Sequence, residues 1–262
     1  MAGPGTVPQR TARQVMREAL RRNLVPGDRL ASEATLMSYF KVSRGSLREA
    51  LRVLAFLGAI EIRPGPGGGP RIATPQPQVV GSSLAMALQF RGATLRTLLE
   101  ARAAMEPSIA ALAALRRKDD EVAALEACVV RLEAAVGTDD FTQPNHRFHQ
   151  LLAIAAGNEA LTLLVSALTW MSRAVEWRYD RLTQERIACQ KKAIVGALQA
   201  RDETWARNLT AAMFAGVLND PGHAEHLSAR VVWADVDELM HDGEEHDDPK
   251  VNVKGDTAWM SQ

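Results

Sequence analysis

Residues 43–57 read SRGSLREALRVLAFL, and this stretch decides the fold of the first part of the chain. Ser43 predicts the start of a helix, because a serine hydroxyl can accept from the free N–H groups of a first turn. Leu47, Leu51 and Leu54 then recur at helical spacing and predict an apolar face that packs inward. The stretch therefore predicts one amphipathic helix.

A second helix is predicted immediately before it, over residues 32–40, with Ser32 as its N-cap. Only Lys41 and Val42 separate the two helices, which predicts a tight turn. The outer elements of the pattern are a helix over residues 9–22 and two short strands, over 59–63 and 71–73, joined by a glycine-rich loop. This order is typical of a winged helix-turn-helix, whose second paired helix enters the major groove of DNA.

Arg44 and Arg48 are four residues apart on this second helix and therefore share one face, with Ser46 beside them. Arginine suits guanine O6 and N7, while serine hydroxyls and free N–H groups can hold phosphates. Arg63 and Arg71 flank the glycine loop and are expected to reach a phosphate or the minor groove. We predict DNA contacts from one set of residues: Ser32, Ser43, Arg44, Ser46, Arg48, Gly67 and Gly68.

These features have two other interpretations. The arginines could form an ordinary solvated helix face, but the leucines bury the opposite face and a glycine loop follows where a wing belongs. The glycine run over residues 67–69 could cradle a nucleotide phosphate, but no Lys-Ser or Lys-Thr follows it and it opens no helix.

Charge is distributed unevenly along a chain whose net charge is zero. Residues 1–75 carry 12 basic and 5 acidic side chains, a net charge of +7, which suits phosphate binding. Residues 234–262 carry 2 basic and 9 acidic side chains and predict a disordered acidic tail. Since no signal segment or membrane span is visible and the 2 cysteines form no CxxC, we expect a cytoplasmic protein without a membrane partner.

The sequence predicts a mainly α fold, with an N-terminal winged helix-turn-helix over residues 1–75 and an all-helical bundle after it. Residues 76–78 are the predicted linker. The bundle, residues 79–233, is predicted to have six or seven helices, one of them running from Leu161 to Tyr179. Its apolar Ala and Leu faces exceed what one core needs, so we expect it to form a homodimer as well as to bind an effector.

Three motifs lie between residues 24 and 52: LVPGDRL at 24–30, Ser32-Glu33, and VSR at 42–44 followed by LREALR at 47–52. Together they resemble the GntR family of bacterial regulators. The resemblance implies that Arg44, Ser46 and Arg48 read DNA beside the glycine wing. One departure is Ala34, where some relatives carry a basic residue that reaches DNA, so one contact is expected to be missing.

Three further motifs resemble the ligand-binding FCD domain of the FadR-like branch of that family: LEAR at 99–102 with Glu106, NHRFHQL at 145–151 followed by AGN at 156–158, and a third block over residues 193–206. The resemblance implies an effector pocket in which many such domains hold a divalent metal with one Asp and three His. These four positions are here Asn145, His149, Lys191 and Met213.

An amide, one imidazole, an ammonium and a thioether cannot satisfy a hard or borderline cation, so we predict no metal and no cofactor. We predict instead that the effector contacts Arg102, Asn145, His149 and Lys191. Lys191 would supply the positive charge of the missing ion and, with Arg102, neutralise a carboxylate or phosphate. The alternative is that Lys191 lies on the surface and the alignment is shifted by one turn.

The predicted function is a ligand-responsive transcriptional regulator, a repressor that binds a double-stranded DNA operator as a dimer. A small-molecule effector of the organic acid or acyl-CoA type would release it, and the missing metal ligands favour a larger or acyl-type ligand. No Gly-x-Ser-x-Gly or His-Glu-x-x-His motif is present, so we predict no enzyme. The alternatives are an architectural DNA-binding protein without a ligand and a helical enzyme with an accessory DNA domain.

Overall fold

The computed structural model of the chain describes residues 5–65, 68–173 and 179–233. These residues form α-helices and one two-stranded sheet, which confirms the predicted fold class. They divide into two compact units, one ending at Val79 and the next beginning at Val80. The predicted acidic tail, residues 234–262, and the wing residue Gly67 lie outside the described residues.

The first unit contains three helices followed by a β-hairpin: α1 (Val7–Arg21), α2 (Glu33–Phe40), α3 (Arg44–Phe56), β1 (Ile60–Arg63) and β2 (Gly69–Ile72). The strands are antiparallel, with Ile60 opposite Ile72 and Arg63 opposite Gly69. The second strand therefore starts two residues earlier than the predicted 71–73. The core of the unit comes from all three helices and includes Val15, Leu36, Leu47, Leu51 and Leu54.

The two helices of the helix-turn-helix begin at the predicted caps. The Thr35 N–H donates to Ser32 Oγ at 3.2 Å, and the Ser46 N–H donates to Ser43 Oγ at 3.2 Å. Lys41, at the turn, adopts the left-handed conformation with φ 53°. These local bonds fix the first residue of α3 and therefore which of its side chains point outward.

The second unit is built from helices, and the boundary between the units falls within the first of them. They are α4 (Pro77–Gln89), α5 (Leu95–Arg116), α6 (Asp119–Ala134), α7 (Thr142–Ala155), α8 (Glu159–Arg173), α9 (Arg181–Gln199), α10 (Glu203–Leu218) and the short α11 (Ala224–Ser228). Because α4 begins at Pro77, the predicted linker over residues 76–78 is largely helical.

The predicted helix from Leu161 to Tyr179 is wrong at its end. Tyr179 is not helical, and Asp180 caps the next helix by accepting from the Thr183 N–H at 3.0 Å. Ala174, Val175 and Trp177 continue the apolar pattern of the sequence beyond Arg173, so periodicity alone could not show that Tyr179 lies outside a helix.

Helix α5 lies at the centre of the bundle and packs against α7, α8, α9 and α10. Its buried residues are mostly Leu, Ile and Ala, yet they include Arg102 and Glu106. Two buried charges in the central helix need partners, since desolvation of an unpaired charge is costly. Among the described residues, no helix has the length and apolarity that a membrane span requires.

Candidate functional site

The outward face of α3 carries the predicted DNA-reading residues. Arg44 and Arg48 are exposed, whereas Leu47 and Leu51, on the other side of the helix, are buried. Ser46 lies between the two arginines and is half-buried. The structure thus brings two cations and the N-terminus of a helix to one surface, which is the arrangement that a major-groove helix uses.

Arg48 does not stand alone, because its Nε lies 3.3 Å from Glu33 Oε2 of α2. The serine hydroxyls are also engaged: Ser32 and Ser43 serve as helix caps, and Ser43 Oγ donates to Ser46 Oγ at 3.0 Å. Of the predicted contacts on α3, Arg44 therefore presents the most directly available cation. Gly45, beside it, has open space around the position that a Cβ would take.

The hairpin places its two arginines differently. Arg63 is exposed, with its Nε 2.6 Å from Glu61 Oε1. Arg71 instead is half-buried and donates from Nη1 to the Gly27 carbonyl at 2.9 Å, so part of its guanidinium holds a loop of the protein itself. A Cβ on Gly68 would collide with the Arg63 carbonyl oxygen, so this glycine is required by the fold of the wing itself.

The second site is a cavity inside the helical bundle. Its volume is about 60 Å³, measured as the space open to the centre of a water molecule. The polar residues that line it are Arg102, Thr142, Asn145, His146, His149, Ser172, Tyr179 and Lys191. All four residues predicted to contact the effector thus lie around one cavity.

Arg102, Glu106 and His149 form a buried network beside the cavity, and each is at most 6% exposed. Arg102 Nε donates to Glu106 Oε1 at 2.7 Å, and His149 Nδ1 lies 2.5 Å from Glu106 Oε2. Burial alone would raise the pKa of Glu106, but Arg102 and His149 lower it to about 2. Burial lowers the pKa of His149 to about 3. At neutral pH the carboxylate is therefore charged and a neutral His149 donates to it from Nδ1.

Lys191, on α9, is buried with 0% exposure, so the alternative that places it on the surface is wrong. Its Nζ donates to the backbone oxygen of Asn145 at 2.6 Å and to Asn145 Oδ1 at 2.5 Å. The ring of Phe148 lies below, with its centroid 4.8 Å from Nζ. Burial lowers the pKa of Lys191 to about 7, because no carboxylate contacts it directly.

Two buried nitrogen atoms at this cavity have no hydrogen-bond partner among the described residues, Arg102 Nη2 and His146 Nδ1. Burial, followed by the charge of Arg102, holds the pKa of His146 well below its usual range, so this side chain is neutral. The guanidinium of Arg102 also stacks on Phe214, with Cζ 5.5 Å from the ring centroid. Unpartnered buried polar atoms are costly, and a ligand oxygen in the cavity would satisfy the Arg102 donor.

The cavity does not fit a metal ion. Of the four positions implied by the family resemblance, one holds the neutral amide of Asn145 and another the Lys191 amine that donates to it. Only His149 offers a usual ligand atom, and no group of three or more His, Cys, Asp or Glu suited to a metal occurs in the described part of the chain.

Sequence reasoning did not assign several residues around this cavity. Glu106 was named only as part of the motif at 99–106; its pairing with Arg102 could have been predicted, since opposite charges four residues apart pair on a helix. His146 directly follows Asn145 in the chain. Tyr179 lies outside the helices, so helical periodicity could not predict its position at the cavity. The remaining polar residues of this kind are Thr142 and Ser172.

Comparison with known families matches both units. Residues 8–68 match the family described as bacterial regulatory proteins, gntR family, and residues 97–216 match the FCD domain. The first match contains the helix-turn-helix with β1, and the second contains α6 to α9 with most of α5 and α10, which together supply most of the cavity residues.

Two relatives in curated collections share much of this length. The HTH-type transcriptional regulator LutR of Bacillus subtilis is 28% identical over 204 residues, which cover 75% of this chain and 91% of LutR. The HTH-type transcriptional repressor NanR of Cronobacter sakazakii is 28% identical over 190 residues, which cover 70% of this chain and 72% of NanR. Both are named as HTH-type transcriptional regulators.

Among solved structures, Streptococcus agalactiae GntR superposes with a TM-score of 0.64 at 25% identity, covering 81% of this chain and 99% of that one. The family matches, the relatives and this structure agree with the motifs at residues 24–52 and 145–158. The chain therefore belongs to the GntR family of bacterial regulatory proteins and carries an FCD domain after its helix-turn-helix unit.

Proposed function

We propose that the protein is a ligand-responsive repressor that binds operator DNA through α3 and is released when a small carboxylate enters the bundle cavity. One observation carries the ligand assignment. Arg102 is 3% exposed, and its Nη2 has no partner among the described residues although its Nε is neutralised by Glu106. A carboxylate oxygen would accept from Nη2 in a site from which water is largely excluded, where charge-assisted hydrogen bonds are strong.

The size of the cavity supports a small acid over an acyl-CoA. One water needs about 10–15 Å³ in this measure, so 60 Å³ holds a ligand of only a few non-hydrogen atoms. Polar groups, including His146 and Tyr179, line the cavity beside Leu99 and Phe214. We therefore favour a small organic acid and set aside the larger acyl-type ligand.

DNA binding is assigned to Arg44 and Arg48 on α3, with Ser32, Ser43 and Ser46 at the helix starts and Gly67 and Gly68 in the wing. The exposed arginines and the net charge of +7 over residues 1–75 support it. We propose a homodimer in the cytoplasm, whose two helix-turn-helix units read half-sites about one helical turn apart. Exposed apolar side chains on the bundle, among them Val130 and Leu182, support an interface there.

The test uses the full chain and an operator selected from random DNA on the protein itself. Acetate, propionate, lactate, pyruvate and succinate are added, and release of DNA is followed by fluorescence anisotropy. We expect at least one acid to release DNA from the wild type and to fail with Arg102→Met, which still binds DNA without ligand. DNA binding that no acid affects would favour the architectural alternative.

A further inference from the structure

The side-chain amide of Asn145 lies between a buried amine and the cavity. Lys191 Nζ donates to Asn145 Oδ1 at 2.5 Å and to its backbone oxygen at 2.6 Å. Asn145 and Tyr179 both line the cavity. The two ends of one planar amide thus face different surroundings.

The amine of Lys191 determines whether the oxygen or the NH₂ group of the Asn145 amide faces the cavity. A protonated amine can only donate, whereas an amide has an oxygen that accepts and an NH₂ group that donates. Lys191 therefore requires Oδ1 of Asn145 on its side, and the Nδ2 donors then face the cavity that Asn145 lines. Reversing the amide would place its NH₂ group against an ammonium group in a site without water to compensate.

Lys191 lines the cavity, but its amine is already engaged by Asn145. It is 0% exposed, and its Nζ is enclosed by Asn145 and the ring of Phe148. Asn145 and Arg102 line the same cavity and are 5% and 3% exposed. Because the Lys191 amine already donates to the Asn145 amide, the lysine acts on the cavity through that amide.

We infer that Lys191 is a positioning residue that makes the cavity selective for oxygen acceptors, by holding the amide of Asn145 with its N–H donors outward. The inference rests on the proposed function, in which the cavity takes a small carboxylate. Both oxygens of a carboxylate can accept, so they would accept from Nδ2 of Asn145 and from Nη2 of Arg102. The matching carboxamide would bring its own NH₂ group against a donor.

The test measures how strongly the full chain prefers each acid over its own carboxamide. Acetate, propionate, L-lactate and pyruvate are titrated beside their carboxamides at pH 6, below the pKa of Lys191, which is about 7. We expect the wild type to prefer the carboxylate about tenfold or more, the factor of one charge-assisted hydrogen bond.

Lys191→Met removes the donors while keeping a similar length, so the amide is free to turn its oxygen toward the cavity. We expect the preference to fall about fivefold or more. Lys192→Met is the matched control, because Lys192 is the next residue, is exposed and pairs with Glu133 at 2.9 Å. It should leave the preference unchanged. If Lys191→Met weakens acid and carboxamide by the same factor, Lys191 has only a structural role and the inference is wrong.

A charge effect that bypasses Asn145 is separated by a double-mutant cycle. In an Asn145→Leu background, Lys191→Met should change the preference no further, because the amide through which the lysine acts is gone. A second drop of similar size would overturn the inference. The double variant buries an apolar pair, which guards against a failure of the single variant to fold.

A ligand-free measurement separates this inference from the proposed function. In the nitrogen-15 spectrum of the full chain, the side-chain NH₂ signal of Asn145 is identified by its loss in Asn145→Leu. It should shift in Lys191→Met and stay in place in Lys192→Met, and an unchanged signal in Lys191→Met overturns the inference. If the signal shifts while no acid binds, the proposed function fails and the positioning of Asn145 by Lys191 stands.

Discussion

Glu106 and His149 hydrogen-bond to each other between α5 and α7, with Oε2 2.5 Å from Nδ1, although 43 residues separate them in the chain. The carboxylate also pairs with Arg102, so one buried anion orients the two cavity residues that flank it. Because His149 is neutral and donates from Nδ1, its other nitrogen is an acceptor. The Glu106 carboxylate therefore determines which nitrogen atoms of Arg102 and His149 remain available to the cavity.

Glu106→Gln should strongly destabilise the helical unit. The substitution keeps the shape but removes the charge that balances Arg102, and breaking a buried ion pair costs roughly 3–5 kcal/mol. Calorimetry of the full chain measures this as a fall in the melting temperature of the bundle. The control is Glu100→Gln on the same helix, whose exposed carboxylate is 3.8 Å from Arg96 and should contribute little. Equal stability of the two variants would contradict the assignment.

Acid should weaken the helical unit before Glu106 is protonated. The pKa of His149 is lowered from 6.5 to about 3 in the folded protein, so between these values the unfolded chain binds a proton that the folded chain does not. Stability therefore falls as the pH drops through this range, by about 1.4 kcal/mol per pH unit for such a group.

His149→Gln should make this acid dependence shallower, while some slope remains because the pKa of His146 is also lowered. Urea unfolding between pH 4 and pH 7 measures the slope. The wild-type chain, unfolded in the same buffers, is the reference for this slope. An unchanged slope in His149→Gln would mean that His149 is charged in the folded protein.

Arg44→Ala should lower operator affinity about tenfold or more and relax specificity at one base position, because arginine reads guanine through two hydrogen bonds. Competition against operators changed at single positions measures both effects. Arg52→Ala, two turns further along α3 with its side chain 75% exposed, is the matched control. If both variants lose affinity equally for every sequence, Arg44 contributes only charge.

Glu33→Gln should raise DNA affinity, by about two- to fivefold at low salt. Its carboxylate lies 3.3 Å from Arg48 on the exposed face. Removing the negative charge therefore releases Arg48 for DNA and also removes the repulsion between Glu33 and the DNA phosphates. Anisotropy titrations at 50 and 200 mM salt measure the gain, which should shrink at the higher concentration. Glu49→Gln, beside Arg52, serves as the comparison. A loss of affinity in Glu33→Gln would mean that the pair with Arg48 positions the arginine for DNA.

Local chemistry made the helix starts predictable. Ser32 and Ser43 cap α2 and α3 through bonds that span three residues, so a short sequence window contains all the information needed. Arg71 shows the limit, because its partner is the Gly27 carbonyl, 44 residues away in the chain. No local pattern distinguishes an arginine that meets DNA from one that holds a distant loop.

Only those cavity residues that belong to the family motif or follow helical spacing were predictable from the sequence. The motif places Asn145 and His149 on one face, and the structure puts both at the cavity. The orientation of α9 decides that Lys191 is buried and directed at Asn145, and this depends on how the helices pack. The pairing of Glu106 with Arg102 has a local signal in their spacing, but the bond of Glu106 to His149 joins two helices.

The two units bury separate hydrophobic cores, one centred on Leu36 and Leu47 and the other on residues such as Leu98 and Phe148. Proteins with separate cores often depart from two-state unfolding, so one melting temperature would not describe this chain. A ligand in the cavity adds its binding free energy only to the transition of the bundle. The difference between the two melting temperatures would then measure how much ligand is bound, in an experiment that needs neither DNA nor a label.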